Sequence, residues 1–456
     1  MKLKKLAAIT LTLSILSTNT FPIPALCATK NKVIKSQVTE YRYDYVNMDW
    51  WKNFNDELLE GYIAKAIEQN QDLKIATLKV EEYNQLTKIQ FANELPSATV
   101  GFSPNLNKMP GLTSTDSLFA FPMIVNYEAD IFLKNRDKTK SQKKLHEASK
   151  FDERATYIAI ASAVGATYLN IIKMDELIDI QKNIVDSRSQ IYKLMQKRHN
   201  QGVTSTTDVI RANKMFIAAT NDLIELEKSR TLLLNKFAVL IGDSPENVNE
   251  IKRISYKEFQ YNMQIPEQIS SDVITQRPDY LKAEKLVEKL GIDVRIAKKE
   301  FLPSINILGL LFFNSNTFGK TFNWSSALAS LGGSAMLPLF TGGARIANLK
   351  IYKNKYEQIL QNYLKTNLVA IQEVNDALST LRLDNEKYLN NLSQLKMEEK
   401  TYALNESKYK QGTISNLDLL QHKENLLSMN KLIASNKIDC AVDYIGLYKA
   451  TGSRIN

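Results

Sequence analysis

The sequence predicts an α+β chain of two structural repeats, each joining a short group of β-strands to helices far longer than a globular core. Three observations carry this reading. Residues 137–200 and 345–410 contain no proline, and apolar residues recur seven apart, at Leu177, Ile184 and Ile191 and again at Leu364, Ile371 and Leu378, which is the spacing of a coiled-coil seam. Segments near 97–105, 121–132, 303–313 and 327–340 alternate apolar and polar residues with the period of two of a half-exposed strand. The chain also matches itself at an offset of 210, which lays Gln201 on Gln411, Gly202 on Gly412, Ser205 on Ser415, Asp208 on Asp418 and Gly242 on Gly452.

In chain order, "MKLKKLAAITLTLSIL" is a charged region followed by an apolar run too short to span a bilayer, so residues 1–28 read as a secretory signal. Cys27 raises a lipid anchor, but Pro24, Ala25 and Leu26 lack the small residue expected just ahead of a modified cysteine, and ordinary cleavage near Ala28 is favoured. The first repeat covers 29–242. Its opening segment, about 54–93, has a helical pattern with Leu58, Ile63, Ile67 and Leu73 as the apolar positions. Two strands follow. In one, Ala98, Val100 and Phe102 oppose Ser97, Thr99, Gly101 and Ser103; in the other, Met123, Val125, Tyr127, Ala129 and Ile131 oppose Asn126, Glu128 and Asp130.

The helix over 137–200 would be roughly 90 Å long at about 1.5 Å per residue, so it must pack sideways against similar helices. Ile180 and Leu194 extend its seam. After the turn at Gly202 a shorter helix runs over about 206–241, and 243–276 forms a linking segment. The second repeat, 277–456, restates the plan with strands near 303–313 and 327–340, a long helix over 345–410 with Leu368 on its seam, and a shorter helix over about 416–450. Both strand regions open on the same triplet, Leu95 to Ser97 and Leu302 to Ser304.

Strands of about ten residues with one unbroken apolar face suit an outer-membrane barrel. Four strands cannot close a barrel, and lipid cannot satisfy an open sheet edge, so further copies of the chain must supply the missing partners. The balance of 59 Lys and Arg against 49 Asp and Glu gives a net charge of +10, which fits an anionic lipid or cell-wall surface; no basic cluster interleaved with aromatics points to nucleic acid. Two cysteines and three scattered histidines (His146, His199, His422) build neither a disulfide framework nor a metal centre, and Cys440 reads as a small core residue. "RPD" at 277–279 and the scattered carboxylates lack a base, nucleophile or metal arrangement, so no enzyme and no cofactor is expected.

An exported chain with these two repeats resembles the TolC-like outer membrane efflux proteins, most of all the NodT/OprM-like branch that partners resistance-nodulation-division (RND) pumps. The resemblance rests on "YEADIFLKNRDK" (127–138), "RPDYLKAEKLVEKLGIDVRIAKKEFLPSI" (277–305), "LPLFTGGARIANLK" (337–350) and "SKYKQGTISNLDLL" (407–420). It implies a homotrimer whose twelve strands form one outer-membrane β-barrel, continuous with a periplasmic α-helical coiled-coil tunnel. It also implies a passive export duct for small molecules, served by a periplasmic adaptor (membrane fusion) protein and an inner-membrane pump. A component of type I protein secretion and a pore-less periplasmic coiled-coil scaffold are the alternatives.

The site residues follow from the same resemblance. Gln201, Gly202 and Val203, with Gln411, Gly412 and Thr413, are the expected adaptor contact, against the alternative that the glycines only end helices. Asp208 either caps the following helix or bonds Tyr409 of the second hairpin. Asp418 with Gln421 is the expected constriction of the periplasmic gate, against a capping role for Asp418. The chain departs from the family's habits in carrying Gln421 where a second acid is common and Ile414 where some members have a basic residue.

Overall fold

The computed structural model describes residues 50–107, 116–260 and 265–452. The signal segment and Cys27 lie outside them.

Helix α1 (Glu57–Gln69) begins at Asp56, whose carboxylate accepts from the N–H groups of Leu58 and Leu59. Helix α2 (Gln71–Ala92) follows almost at once, capped by Asn70. Strands β1 (Ser97–Val100), β2 (Ser103–Asn107) and β3 (Asp116–Glu128) lead into α3 (Lys134–Asn200), which returns through a tight turn as α4 (Thr206–Leu240). The second half comprises α5 (Pro278–Lys299), β4 (Ser304–Ser315), β5 (Ala327–Met336), α6 (Ala344–Lys410) and α7 (Asn416–Ala450). The two long helices have the same length, 67 residues, as do the two shorter ones, 35 residues.

The helices lie side by side. Toward the strands the order is α2, α3, α5, α6; toward the turns it is α4, α3, α7, α6. The ends of α4 and α2 meet between these levels, as do the ends of α7 and α5. Gly242 and Gly452 make both junctions possible. Each takes a left-handed φ, +79° and +67°, and a Cβ would stand 2.9 Å from the backbone of Gln69 at the first and 3.2 Å from the Cα of Arg277 at the second. Asn70 ties the first junction by donating to the Leu240 carbonyl at 2.9 Å while accepting from the Leu73 N–H. Arg277 ties the second, donating to the Ala450 carbonyl while pairing with Asp279 at 2.7 Å and Glu373 at 2.5 Å.

An aromatic and aliphatic core surrounds this level. Trp50, Phe54, Tyr168, Leu169, Phe237 and Phe259 are buried there, and Gly165 sits so close to Trp50 that a Cβ would stand 2.4 Å from the indole. Within α3 an apolar window meets the length and hydropathy of a membrane span, but two-thirds of it is buried inside the chain; it is the core of a helix layer.

The strand bounds and the second seam differ from the sequence reading. The strand expected over 97–105 is two segments, since the Gly101 N–H donates to the Pro122 carbonyl at 2.8 Å but Pro122 has no N–H to return the bond; the strand expected over 121–132 runs from 116 to 128, and the one expected over 327–340 ends at Met336. Asp130 explains the early end, since its carboxylate turns to accept from the Lys134 and Arg136 N–H groups at the start of α3. The second seam is also not buried within the chain. Leu364, Leu368 and Ile371 are 46%, 67% and 38% exposed, and α6 turns Ala370, Val374 and Leu381 inward instead.

Candidate functional site

Two regions stand out, the turns at the free end of the helices and the sheet at the other end.

Each turn is a helix end followed by a capped helix start. Gln201 closes α3, Gly202 takes φ +73°, and the Gly202 and Val203 N–H groups donate to the carbonyls of His199 (2.8 Å) and Arg198 (2.9 Å). Gln411, Gly412 (φ +71°) and Thr413 repeat this with the carbonyls of Tyr409 and Lys408, both at 2.9 Å. This paired bonding around a left-handed residue satisfies carbonyls that the helix leaves open, so each glycine does end its helix. Nothing lies within 4 Å of where a Cβ would be on Gly202 or Gly412, unlike the crowded junction glycines. Gln201, Gly202, Val203, Gln411, Gly412 and Thr413 are all exposed.

The caps differ. At the first turn the Asp208 N–H donates to Ser205 Oγ at 3.2 Å, and Ser205 Oγ donates back to the carboxylate at 2.7 Å; Arg211 lies 3.7 Å away. No hydrogen bond joins Asp208 to Tyr409 within the described chain, and Tyr409 is exposed. At the second turn Asp418 completes a capping box, accepting from both the N–H (3.1 Å) and Oγ (2.7 Å) of Ser415 while its own N–H donates to Ser415 Oγ. Those hydrogen bonds hold the Asp418 carboxyl below the usual range, so it stays charged. The structure thus gives Asp418 its cap; the residue is exposed, as is Gln421, three positions on along the same helix.

Above the turns the two hairpins are joined along α3 and α7. Lys173 pairs with Asp439 at 2.7 Å, Lys431 donates to Gln181 at 3.1 Å, and Arg188 pairs with Glu424 at 2.6 Å. These contacts follow one antiparallel register at intervals of seven or eight residues, the spacing of a coiled coil. Leu177 with Ala434, and Ile191 with Leu420, fill the seam between them. Burial pushes the Glu424 carboxyl up and Arg188 opposes the shift.

The sheet has the order β1, β3, β4, β5, all antiparallel, with β2 continuing the edge beside β3. Residues directly opposite in an antiparallel pair share a face. Val100 opposes Met123, Met123 opposes Leu311 and Leu311 opposes Ala329; Val125 opposes Gly309 and Gly309 opposes Leu331. From Val125 out to Phe121 and across to β5 that face carries no polar side chain; the Tyr127 hydroxyl stands at its helix end and Ser315, opposite Phe119, at its far end. The other face carries Ser97, Asn126, Glu128, Asn306 and Ser334 at its helix end. Beyond the far end of the apolar face, residues 316–326 fold over it, stacking Phe322 on Phe121 at 4.5 Å and setting Phe318 at 5.6 Å from Phe119 and Trp324 at 6.0 Å from Phe313. The outer edges of β1 and β5 have no partner strand among the described residues.

A family model of outer membrane efflux proteins matches residues 62–243 and 269–453, one stretch for each repeat. The chain belongs to the outer membrane efflux protein family. Efflux across the outer membrane is what this family does, and its members are transport proteins. Among curated relatives, the probable efflux pump outer membrane protein TtgC of Pseudomonas putida is 24% identical over 411 residues, covering 88% of this chain and 84% of its own. The cation efflux system protein CusC of Escherichia coli K12 is 23% identical over 410 residues, covering 90% and 89%. Among solved structures, the Campylobacter jejuni CmeC outer membrane channel superposes with a TM-score of 0.81 at 24% identity, covering 90% of this chain and 88% of that one.

Set in this efflux family, the exposed turns and the apolar sheet are surfaces that the chain's own folding leaves unused, as are the apolar edges of the helix layer on α2 and α6. Sequence reasoning missed the tie at Arg277 and the pair Arg188–Glu424. "RPD" was visible as a motif, but only the fold shows that its arginine closes the end of α7.

Proposed function

We propose that this chain is the outer-membrane duct of a tripartite efflux system, in which three copies close one twelve-stranded barrel over a helical tunnel. The observation that carries the reading is the sheet: one face apolar across four strands, both edges open, and each half continuous with a 67-residue helix. Lipid permits such a sheet only if the edges are paired, and a second copy supplies the partner for each edge. The exposed apolar residues at the two ends of the helix layer, Leu364 and Leu368 on α6 against Ile75 and Leu78 on α2, offer the matching helical contact. A duct of this design has no energy source of its own. A periplasmic adaptor and an inner-membrane pump of the RND class supply it, as the efflux-pump names of the relatives suggest.

The exposed tips, Gln201 to Val203 and Gln411 to Thr413, are the adaptor contact in this reading; six such turns in a trimer present quasi-equivalent sites. Asp418, Gln421, Asp208 and Tyr409 ring the closed end, where any bond between Asp208 and Tyr409 joins neighbouring chains. Carbonate washing should leave the protein in the membrane, and detergent should release a trimer that conducts ions in a planar bilayer. Release by carbonate, or a non-conducting monomer, would sink the duct. Gly412→Arg should abolish efflux while trimers assemble at normal abundance; normal efflux in that variant removes the tips from the adaptor contact.

A further inference from the structure

The polar face of the sheet is not polar throughout. Its register gives successive rows across the strands. Nearest the helices stand Glu128, Asn306 and Ser334, then Ser97, Asn126 and Leu308. The next row is Thr99, Ile124, Leu310 and Ser330, and the row beyond it holds Pro122, Phe312 and Leu328. Polar residues return with Asn314 opposite Ala120 and Ser103. Two rows in the middle of this face therefore bring large apolar side chains together, Ile124 and Leu310 between Thr99 and Ser330 and then Phe312 and Leu328 beside Pro122, flanked along the strands by amides and hydroxyls. Leu308 and Leu328 are 47% and 58% exposed, so the chain itself does not cover them.

This band lies on the inward face. The opposite face has no charged or amide group at any paired position and carries the aromatic cluster of Phe121, Phe313 and Trp324 at its end, which is how a barrel meets lipid and its interface. Barrel interiors are ordinarily polar, because water fills them. An apolar interior ring weakens water and ion occupancy and favours solutes that present hydrocarbon.

We infer that Ile124, Leu310 and Phe312, with Leu308 and Leu328, form an apolar collar inside the barrel that selects cargo of apolar or amphipathic organic character over small hydrated ions. The inference rests on the trimeric-duct reading and adds a specificity element to it. The three copies of each side chain make the collar a ring rather than a patch. Cargo leaves the water-filled tunnel, contacts the collar through its apolar part, and passes to the polar row beyond.

The test uses full-length trimers in planar bilayers and the tetraalkylammonium series, whose members share one charge and differ in hydrocarbon. Block of the ion current should strengthen by about tenfold or more from tetramethylammonium to tetrabutylammonium, since each buried methylene adds to the transfer term. The double variant Ile124→Thr/Leu310→Thr places a strand-compatible β-branched residue at both positions; it should raise conductance and bring that ratio to within about twofold. Phe312→Tyr, the milder change, should lower the ratio part-way and serves if the double variant fails to insert. A ratio unchanged in these variants overturns the collar. So does a wild-type channel that conducts but blocks equally with every member of the series. A wild-type protein that never conducts overturns the duct reading instead.

Discussion

Helices α3 and α6 have the same length, occupy the same place in their repeats and carry the same seven-residue spacing, yet 24 residues of α3 are buried and only 4 of α6. The difference is one of neighbours. Helix α3 has a helix on each flank along its whole length, α2 and α5 at one level, α4 and α7 at the other, and the aromatic core packs on its middle. Helix α6 has neighbours on one flank only, α5 and α7. A heptad pattern states that a helix has a partner, and on α6 that seam is left uncovered by the chain itself.

The largest test of this contrast replaces one leucine on each helix. Leu169 on α3 is 1% exposed, and Leu169→Ala should destabilise the chain by about 2 to 5 kcal/mol through lost burial and the cavity left behind. Leu368→Ala on α6 should leave the unfolding of the single chain within about 0.5 kcal/mol of the parent, as an exposed position would, while lowering the temperature at which trimers dissociate on semi-native gels. Equal effects on chain unfolding would erase the distinction between core and contact helix.

Next in size is the pair that joins the two hairpins. Arg188 and Glu424 are 22% and 10% exposed at their side chains, and Glu424 Oε1 finds no other partner. Removing one member of a largely buried pair strands the other, so Arg188→Ala should cost roughly 3 kcal/mol, at the low end of that class because the arginine is partly exposed. The double variant Arg188→Ala/Glu424→Ala should recover part of the loss in urea unfolding. A double variant as unstable as the sum of the singles would show that the two residues act independently.

These pairs also show what a sequence can and cannot yield. Period and punctuation were legible: proline-free runs, Gly202 and Gly412 at the turns, and the alternation at Ala329 and Leu331 all follow from local chemistry, although the sequence points to Asp208 and Asp418 for capping and the N-cap residues are Ser205 and Ser415. The faces were not. Leu364 and Leu368 have the same signature as Leu177 and Ile184, and only three-dimensional adjacency says which seam is filled inside the chain. Arg277 was invisible in its role because the carbonyl it closes lies 173 residues away. The band at Ile124 and Leu310 was hidden for a similar reason, since it exists only once the register between β3 and β4 is fixed.

A smaller, pH-dependent effect follows from the α6–α7 contact. Burial, together with Asp384 on α6 and Asp439 on α7, pushes the Asp443 carboxyl up to about 6, against the pull of Lys173 on α3. A carboxyl raised in the folded state stabilises fully below its ordinary range and loses that contribution as the pH rises through its folded value. The helix layer should therefore melt at a higher temperature near about pH 5 than near about pH 7.5. Glu424 is raised in the same sense, so Asp443→Asn should shrink this difference without abolishing it. A difference unchanged in Asp443→Asn would assign the effect to other groups.

The smallest expected effect separates the two turns themselves. Ser415 and Asp418 form a complete capping box, with the Ser415 N–H held by the carboxylate, whereas at the first turn the Asp208 N–H donates to Ser205 Oγ and that hydroxyl donates to the Asp208 carboxylate, without the bond from the serine N–H. An N-cap serine contributes about 0.5 to 2 kcal/mol, and the fuller box belongs at the upper part of that range. Ser415→Ala should therefore speed hydrogen exchange at the Asp418 and Leu419 amides more than Ser205→Ala speeds it at Asp208 and Val209. In the same variant the Asp418 carboxylate loses the Ser415 Oγ partner and keeps only the backbone N–H. Its pKa should rise toward the ordinary carboxylate value, because that side-chain hydrogen bond is the largest cause of its depression. If Asp418 also lines the gate, freeing it should change block by multivalent cations entering from the periplasmic side. Faster exchange with unchanged block would mean that Asp418 serves the helix alone.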